Sequence, residues 1–395
     1  MAKSKNSLRK TGNAVLLSVG ILLFLISLLT LFKAPTHELW ILAILATEYG
    51  HGFALLSLLV AYLLFRGNVR RRVFAPLPVI AAVLYLTPLF RALPVAAELP
   101  NQITRAFGEF HNPEAETTYG RTVPISVVDL FTGLSRPDIH PERFVYKTVA
   151  GQSLAMDVYR PPQGQGPFPC VMVIHGGAWR SGSTRQLYEL NQYLAGRGYV
   201  VAAITYRLAP RWRFPAQIED VRDAIQFVQA HADTLNIDPQ RLVLLGRSAG
   251  AHLALLAGYT ANDPAIRGVV SFYGPPDLVY GWNHPANPRV INTHKVLRDF
   301  IGGSPDELPE PYRQASPIHF VNPLTPPTLL IHGTRDELVR IQQSRQLAAK
   351  LAEQRVRHVF IELPYATHGC DFRLAGPSGQ ISTYAIERFL AAVMQ

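Results

Sequence analysis

Cysteine is nearly absent. The 395 residues hold two, Cys170 and Cys370, which is too few for a disulfide framework. Cys170 opens an apolar, strand-like run and Cys370 follows a glycine-containing loop, so in the sheet argued below they fall at opposite ends, too far apart to bridge. Acidic residues are scarce at the start of the chain: residues 1–105 carry eleven Lys or Arg but only Glu38, Glu48 and Glu98. Of the formal charge of +10, +8 therefore sits in that stretch, leaving +2 for the other 290 residues. A basic excess confined to one end, with no nucleic-acid-binding motif beside it, argues against a nucleic-acid partner. Internal repeats are absent too.

What the first ninety residues do have is long apolar runs. Asn13–Phe32 is twenty residues without a charge, long enough to cross a bilayer as a helix. Leu39–Phe65 is a second run, interrupted by Glu48-Tyr-Gly-His-Gly52, and Val73–Phe90 is a third. A cleaved signal peptide fits the first run poorly, since no small-residue cleavage site follows and two further runs do. Lys3, Lys5, Arg9 and Lys10 precede the first run, and Arg66, Arg70, Arg71 and Arg72 separate the second from the third. Basic flanks stay cytoplasmic. The expectation is a membrane region over 1–92 with three transmembrane helices (about 13–32, 39–65 and 73–90) and lipid as a partner. It puts the rest of the chain outside the cytoplasm, on the periplasmic side of the inner membrane in a Gram-negative cell. Glu48 and His51 share a helix face there. Such groups within a membrane are either functional or a helix–helix hydrogen bond inside the bundle, and the second reading is preferred.

Residues 93–143 lack periodicity and read as a linker, with one amphipathic helix near 98–111. From Phe144 to the end the pattern changes. Phe144–Val149 and Leu154–Tyr159 flank Gly151-Gln152 as a hairpin. Strand-like runs then follow at Cys170–His175, Tyr199–Thr205, Leu242–Gly246, Gly268–Tyr273, Thr328–His332 and His358–Leu363. Helical patterns stand between them at Thr184–Arg197, Gln217–Ala232, Ser248–Tyr259 and Arg340–Glu353, and Gln380–Val393 closes the chain. Alternation of this kind predicts an α/β domain over 144–395, with a mostly parallel sheet covered on both faces and its site at the carboxyl ends of the strands. The proline-rich stretch 275–326 breaks the alternation and reads as an insertion over the site.

The chemistry-bearing motifs fall at strand ends. Gly246-Arg-Ser248-Ala-Gly250 fits Gly-x-Ser-x-Gly between a strand and a helix, the context in which a sharp turn lifts a serine hydroxyl out of the sheet. His175-Gly-Gly-Ala-Trp179 follows another strand. Its glycines let backbone N–H groups approach a substrate oxygen, so Gly176 and Gly177, with the N–H of Ala249, are the expected oxyanion-hole donors. His175 reads as a brace for that loop, and Trp179 as either pocket wall or core. A base is expected late in the chain, and among the histidines after Ser248 only His368 lies in a late loop between a strand and the last helix. The acid belongs between them; Asp336, just past a strand, is the candidate and Glu337 its nearest rival. Ser248 would attack an ester carbonyl as His368 takes its proton and Asp336 holds the imidazole, with no metal or organic cofactor needed.

Together with Tyr206-Arg-Leu-Ala-Pro210, Gly333-Thr-Arg-Asp336, His368-Gly369 and the entry strand Met156-Asp-Val-Tyr-Arg-Pro161, these motifs resemble carboxylesterases of the hormone-sensitive-lipase and feruloyl-esterase-like branch of the α/β-hydrolases, over about residues 144–395. The resemblance implies hydrolysis of short-chain esters, with amides, formamides or acetylated sugars as variants. Two positions depart from it. Arg247 stands where hormone-sensitive-lipase relatives usually have Asp, and Ala251 replaces a glycine. Arg247 either attracts an anionic substrate or pairs with a neighbouring carboxylate. A peptidase, an amidase or deacetylase, and a non-catalytic binding module on the same scaffold are the alternatives.

Overall fold

The structure, a computed structural model, describes residues 2–67, 72–108 and 121–395, and the side chains of 2–13 are left aside. Arg70, Arg71 and the middle of the expected linker (109–120) lie outside the described residues.

The sheet has eight strands: β1 (Glu142–Val149), β2 (Gln152–Tyr159), β3 (Phe168–Ile174), β4 (Val200–Ile204), β5 (Ile237–Arg247), β6 (Ile266–Phe272), β7 (Thr328–Gly333) and β8 (His358–Leu363). Their spatial order is β1-β2-β4-β3-β5-β6-β7-β8. The β1–β2 hairpin is antiparallel and β2 meets β4 antiparallel; β4 through β8 run parallel. Every residue of β4 is buried, as expected for an apolar β-branched run covered on both faces. Side-chain alternation splits β3 between the two cores: Cys170, Met172 and Ile174 face one, Val171 and Val173 the other. Cys170 and Cys370 are both buried and unbridged.

Register sets where the site can form. Ile174 pairs with Gly246, Arg247 with Phe272, and Gly333 with Leu363. The carboxyl ends of β3, β5, β6, β7 and β8 thus finish on one edge of the sheet. The loops after β3, β5, β7 and β8, which carry the four sequence motifs, open side by side.

The N-terminal region departs from three straight spans. Helix α1 (Ala2–Ser27) continues as a 3-10 turn to Thr30. The second apolar run breaks at Tyr49 into α2 (His37–Glu48) and α3 (Gly50–Phe65), bent by 86°. The bend lets Gly50 pass so close to the last N-terminal helix that a Cβ there would lie 2.2 Å from the Tyr85 carbonyl oxygen. The third run is the start of α4 (Pro76–Phe107), 32 residues long. Pro88 offers no N–H to the Leu84 carbonyl, which instead accepts from the hydroxyls of Thr87 at 2.7 Å and Thr30 at 3.1 Å. Among the described residues α4 alone qualifies by length and apolarity as a membrane-crossing helix; the bent pair qualifies only if taken as one span, and the apolar part of α1, Ala14–Thr30, is shorter.

The expected linker is also corrected. Residues 93–107 are the second half of α4, and its stripe Ala92, Ala96, Leu99 and Ile103 belongs to one of the two cores that flank the eight-stranded sheet. There it packs on the closing helix α5 (Pro377–Val393), and Gln102 Nε2 donates to the Phe360 carbonyl of edge strand β8 at 2.8 Å. The amphipathic helix expected near 98–111 is the end of this longer one, and the three prolines inside α4 interrupt the apolar periodicity that would have joined it to the third run. Glu48 likewise finds its partner outside the N-terminal bundle: its carboxylate accepts from Ser378 N–H (3.2 Å) and Ser378 Oγ (2.7 Å), capping the first turn of α5.

Candidate active site

Ser248 stands between β5 and the helix Ala249–Thr260, with φ 51° and ψ −120°. Positive φ is costly for a residue with a side chain, and the neighbours enforce it. Ser248 N–H is tied to the Phe272 carbonyl at 2.9 Å, and a Cβ on Gly250 would lie 2.1 Å from the Ile174 carbonyl oxygen. Only glycine admits that approach, so strand, turn and helix lock into one elbow.

The residues expected to act with Ser248 are brought to it. His368 Nε2 lies 3.0 Å from Ser248 Oγ, and His368 Nδ1 lies 2.7 Å from Asp336 Oδ2. Asp336 is buried, and its Oδ1 accepts from the N–H groups of Leu338 and Val339, both at 2.8 Å. Burial by itself would raise its pKa; the facing His368 charge and the hydrogen bonds from His332 and His368 outweigh this and hold it well below the ordinary carboxylate range. Glu337, the rival, points elsewhere: it accepts from Ala34 N–H at 3.1 Å and from the Thr367 hydroxyl.

Sequence reasoning missed two neighbours of this chain. His332 ends the expected strand Thr328–His332, yet its Nε2 sits 3.1 Å from Asp336 Oδ2 and 3.0 Å from the Val339 carbonyl, while Ser344 Oγ lies 2.7 Å from Nδ1. Two acceptors facing Nε2 fix the proton there, making His332 a second donor to the acid. Its spacing of four from Asp336 across a tight turn was the available signal. Tyr273, at the end of β6, packs its ring 4.3 Å from the His368 imidazole, and nothing local in the sequence marks it.

The loop after β3 needs a correction. Gly176 N–H is already bonded to Gln186 Oε1 at 2.6 Å, so it is not free for a substrate oxygen. Among the described residues nothing accepts from the N–H of Gly177 or Ala178, and Ala178 borders the cavity beside Ser248 and Ala249. The available donors are therefore Gly177, Ala178 and Ala249. His175 does brace this loop. It stacks on Tyr206 at 4.3 Å, and the Tyr206 hydroxyl donates to its carbonyl at 3.0 Å.

Trp179 is both wall and core: it lines the cavity, stacks on Phe300 at 4.2 Å and donates from Nε1 to His252 Nδ1 at 3.2 Å. The cavity, about 600 Å³ with its open mouth, is walled largely by the 275–326 insertion through Leu278, Ile291, Val296 and Leu297. Arg247 is not among its walls. It pairs with buried Asp371 at 2.8 Å and donates to the Tyr273 hydroxyl at 2.9 Å, so of its two expected roles the carboxylate pairing is the one observed. Among the described residues no cluster of His, Cys, Asp or Glu is arranged to hold a metal ion.

Comparison with known proteins finds esterases by sequence and by fold. The family description BD-FAE matches residues 156–351. Esterase LipC of Mycobacterium tuberculosis is 35% identical over 271 residues, covering 65% of this chain and 66% of its own length. LipM of the same organism, a probable carboxylic ester hydrolase, is 29% identical over 311 residues, 74% of this chain and 70% of its own. The chain thus spans about two thirds of these curated relatives. A butyrate-bound esterase from Thermogutta terrifontis superposes with a TM-score of 0.52 at 26% identity, over 63% of this chain and 91% of that one. The chain has the α/β-hydrolase fold, and the esterases it resembles in sequence and in fold support a carboxylic ester hydrolase.

Proposed function

We propose that Ser248, His368 and Asp336 form a catalytic triad that cleaves small or lipid-like acyl esters through an acyl-enzyme. One observation carries this reading: the unbroken hydrogen-bond chain from Ser248 Oγ through His368 to Asp336, set on a strained elbow. His368 Nε2 takes the hydroxyl proton as Oγ attacks the ester carbonyl, while Nδ1–H stays bonded to the buried carboxylate. The N–H of Ala249, with those of Gly177 and Ala178, receives the developing oxyanion; preorganised donors of this kind contribute about 3 kcal/mol each. His368 returns the proton to the departing alcohol, and water then releases the acid by the same route. Apolar walls at Leu278, Ile291 and Val296 suit an acyl chain.

The N-terminal helices read as a membrane anchor. Their outer faces expose Leu22, Leu55, Leu59, Val83 and Phe90, each more than half accessible, which suits a lipid environment. In this reading α1, α3 and α4 cross and α2 lies against the hydrolase unit. The basic flanks then stay cytoplasmic and the active site faces the opposite side.

The test uses the full chain in detergent. It should hydrolyse p-nitrophenyl butyrate and react with a fluorophosphonate, and Ser248→Ala should lose both; equal rates in the two proteins would end the triad reading. Turnover of peptide or amide substrates well above that of esters would move the assignment to a peptidase or amidase. A reporter fused at the C-terminus that works only in the cytoplasm would overturn the orientation.

A further inference from the structure

The connector between α1 and α2 lies across the two loops that present the acid and the base. Arg335, beside Asp336, is buried and turned toward this connector. Its guanidinium donates to the carbonyls of Thr30 at 2.5 Å, Leu29 at 2.8 Å and Phe32. These carbonyls close the end of a helix, where the backbone has no partners of its own and the helix dipole favours a cation. Lys33 Nζ donates to the Asp336 carbonyl at 3.1 Å, and Ala34 N–H to Glu337 at 3.1 Å. Glu337 in turn takes the hydroxyl of Thr367, next to the base. Trp40 Nε1–H donates to the carbonyl of His368 itself at 3.0 Å. One short segment therefore grips three consecutive residues of the acid loop and the backbone of the base.

We propose that residues 28–40 are a positioning element of the active site, with Arg335 and Trp40 as positioning residues that hold Asp336 and His368 in register. The proposal rests on the triad reading above. The loops also meet directly, through Arg335 N–H to the Ala366 carbonyl at 3.1 Å, the Thr367 hydroxyl to Glu337 and His368 to Asp336, and the connector adds a second set of bonds to both from outside. A displacement of 1 Å in such an arrangement costs about a hundredfold in rate. Seating of the N-terminal helices and turnover are thereby coupled.

The test is kinetic, on the full chain in detergent. Trp40→Phe keeps an aromatic ring and removes the N–H. It should lower kcat about five- to tenfold, the loss expected for one hydrogen bond, with KM within about twofold and an unchanged melting temperature; the fluorophosphonate labelling rate should fall in parallel. Arg335→Met should fall further and Arg335→Lys should recover part of the loss. Parent-level kcat and labelling in Trp40→Phe, or losses that track the melting temperature across the set, would overturn the proposal. Ser248→Ala in the same preparation separates the outcomes: if it stays active, the triad reading itself has failed.

Discussion

Asp336→Asn isolates what the buried carboxylate does. Oδ1 of Asp336 accepts two backbone N–H groups, from Leu338 and Val339, and Oδ2 faces two imidazole nitrogens, of His368 and His332. An amide replaces one oxygen by an NH₂ that cannot accept. The backbone donors cannot change, so the remaining oxygen must face them and the NH₂ must face the imidazoles. His368 then accepts at Nδ1, carries its proton on Nε2, and points that proton at Ser248 Oγ. The base is present and correctly placed, but in the wrong tautomer. In serine proteases the equivalent change lowers kcat about 10⁴-fold, some 5 kcal/mol of barrier, and a similar loss is expected here. The fold should lose only about 1 kcal/mol, because His332 can also switch tautomer, leaving the Val339 carbonyl short of one donor. Initial rates on p-nitrophenyl butyrate, beside a melting curve, measure both quantities. A variant within tenfold of the parent kcat would refute the assignment of Asp336 as the residue that sets the tautomer.

Arg247→Gln should leave the preference between neutral and anionic esters unchanged and destabilise the fold by about 3 to 5 kcal/mol, because it strands buried Asp371 without its cation; a changed charge preference in a stable protein would return Arg247 to the substrate. Ile291→Trp should raise KM for butyrate esters about tenfold and spare acetate esters, since Ile291 lines the apolar wall; equal effects on both chain lengths would exclude that wall as the acyl site. Acid should loosen the fold before it reaches the carboxylates. Burial pushes His175 and His252 from 6.5 down to about 4, each against one hydrogen bond to a backbone carbonyl. The folded rings stay neutral where the unfolded chain takes up protons. Stability from these groups is thus complete above 6.5 and is lost as pH falls from there toward 4, on the order of 3 kcal/mol for each. Melting temperatures that hold steady across that window would contradict the burial of both rings.

Much of the hydrolase unit was legible because its signals are local. β4 reads as a continuous apolar run, and the helices Ala216–Ala230 and Gln342–Glu353 start within two residues of the expected places. Gly246 and Gly250 flag the elbow through the steric need for no side chain, and the late loop position singles out His368. What the sequence left open depends on contacts between distant residues. The break of the second apolar run at Tyr49, the absorption of residues 93–107 into the hydrolase core, and the capping of α5 by Glu48 each need a partner hundreds of residues away or a neighbouring helix in place. The same is true of Gln186 taking the Gly176 N–H, and of Arg247 turning to Asp371. By itself the sequence determined the strands, the elbow and which serine, histidine and aspartate are the candidates for nucleophile, base and acid, since backbone propensity and motif spacing act over a few residues. The tertiary structure alone decided which N–H groups stay free, which charges are already paired, and that the N-terminal connector reaches the acid and base loops, because hydrogen bonding is exclusive and its partners are chosen only once the chain has folded.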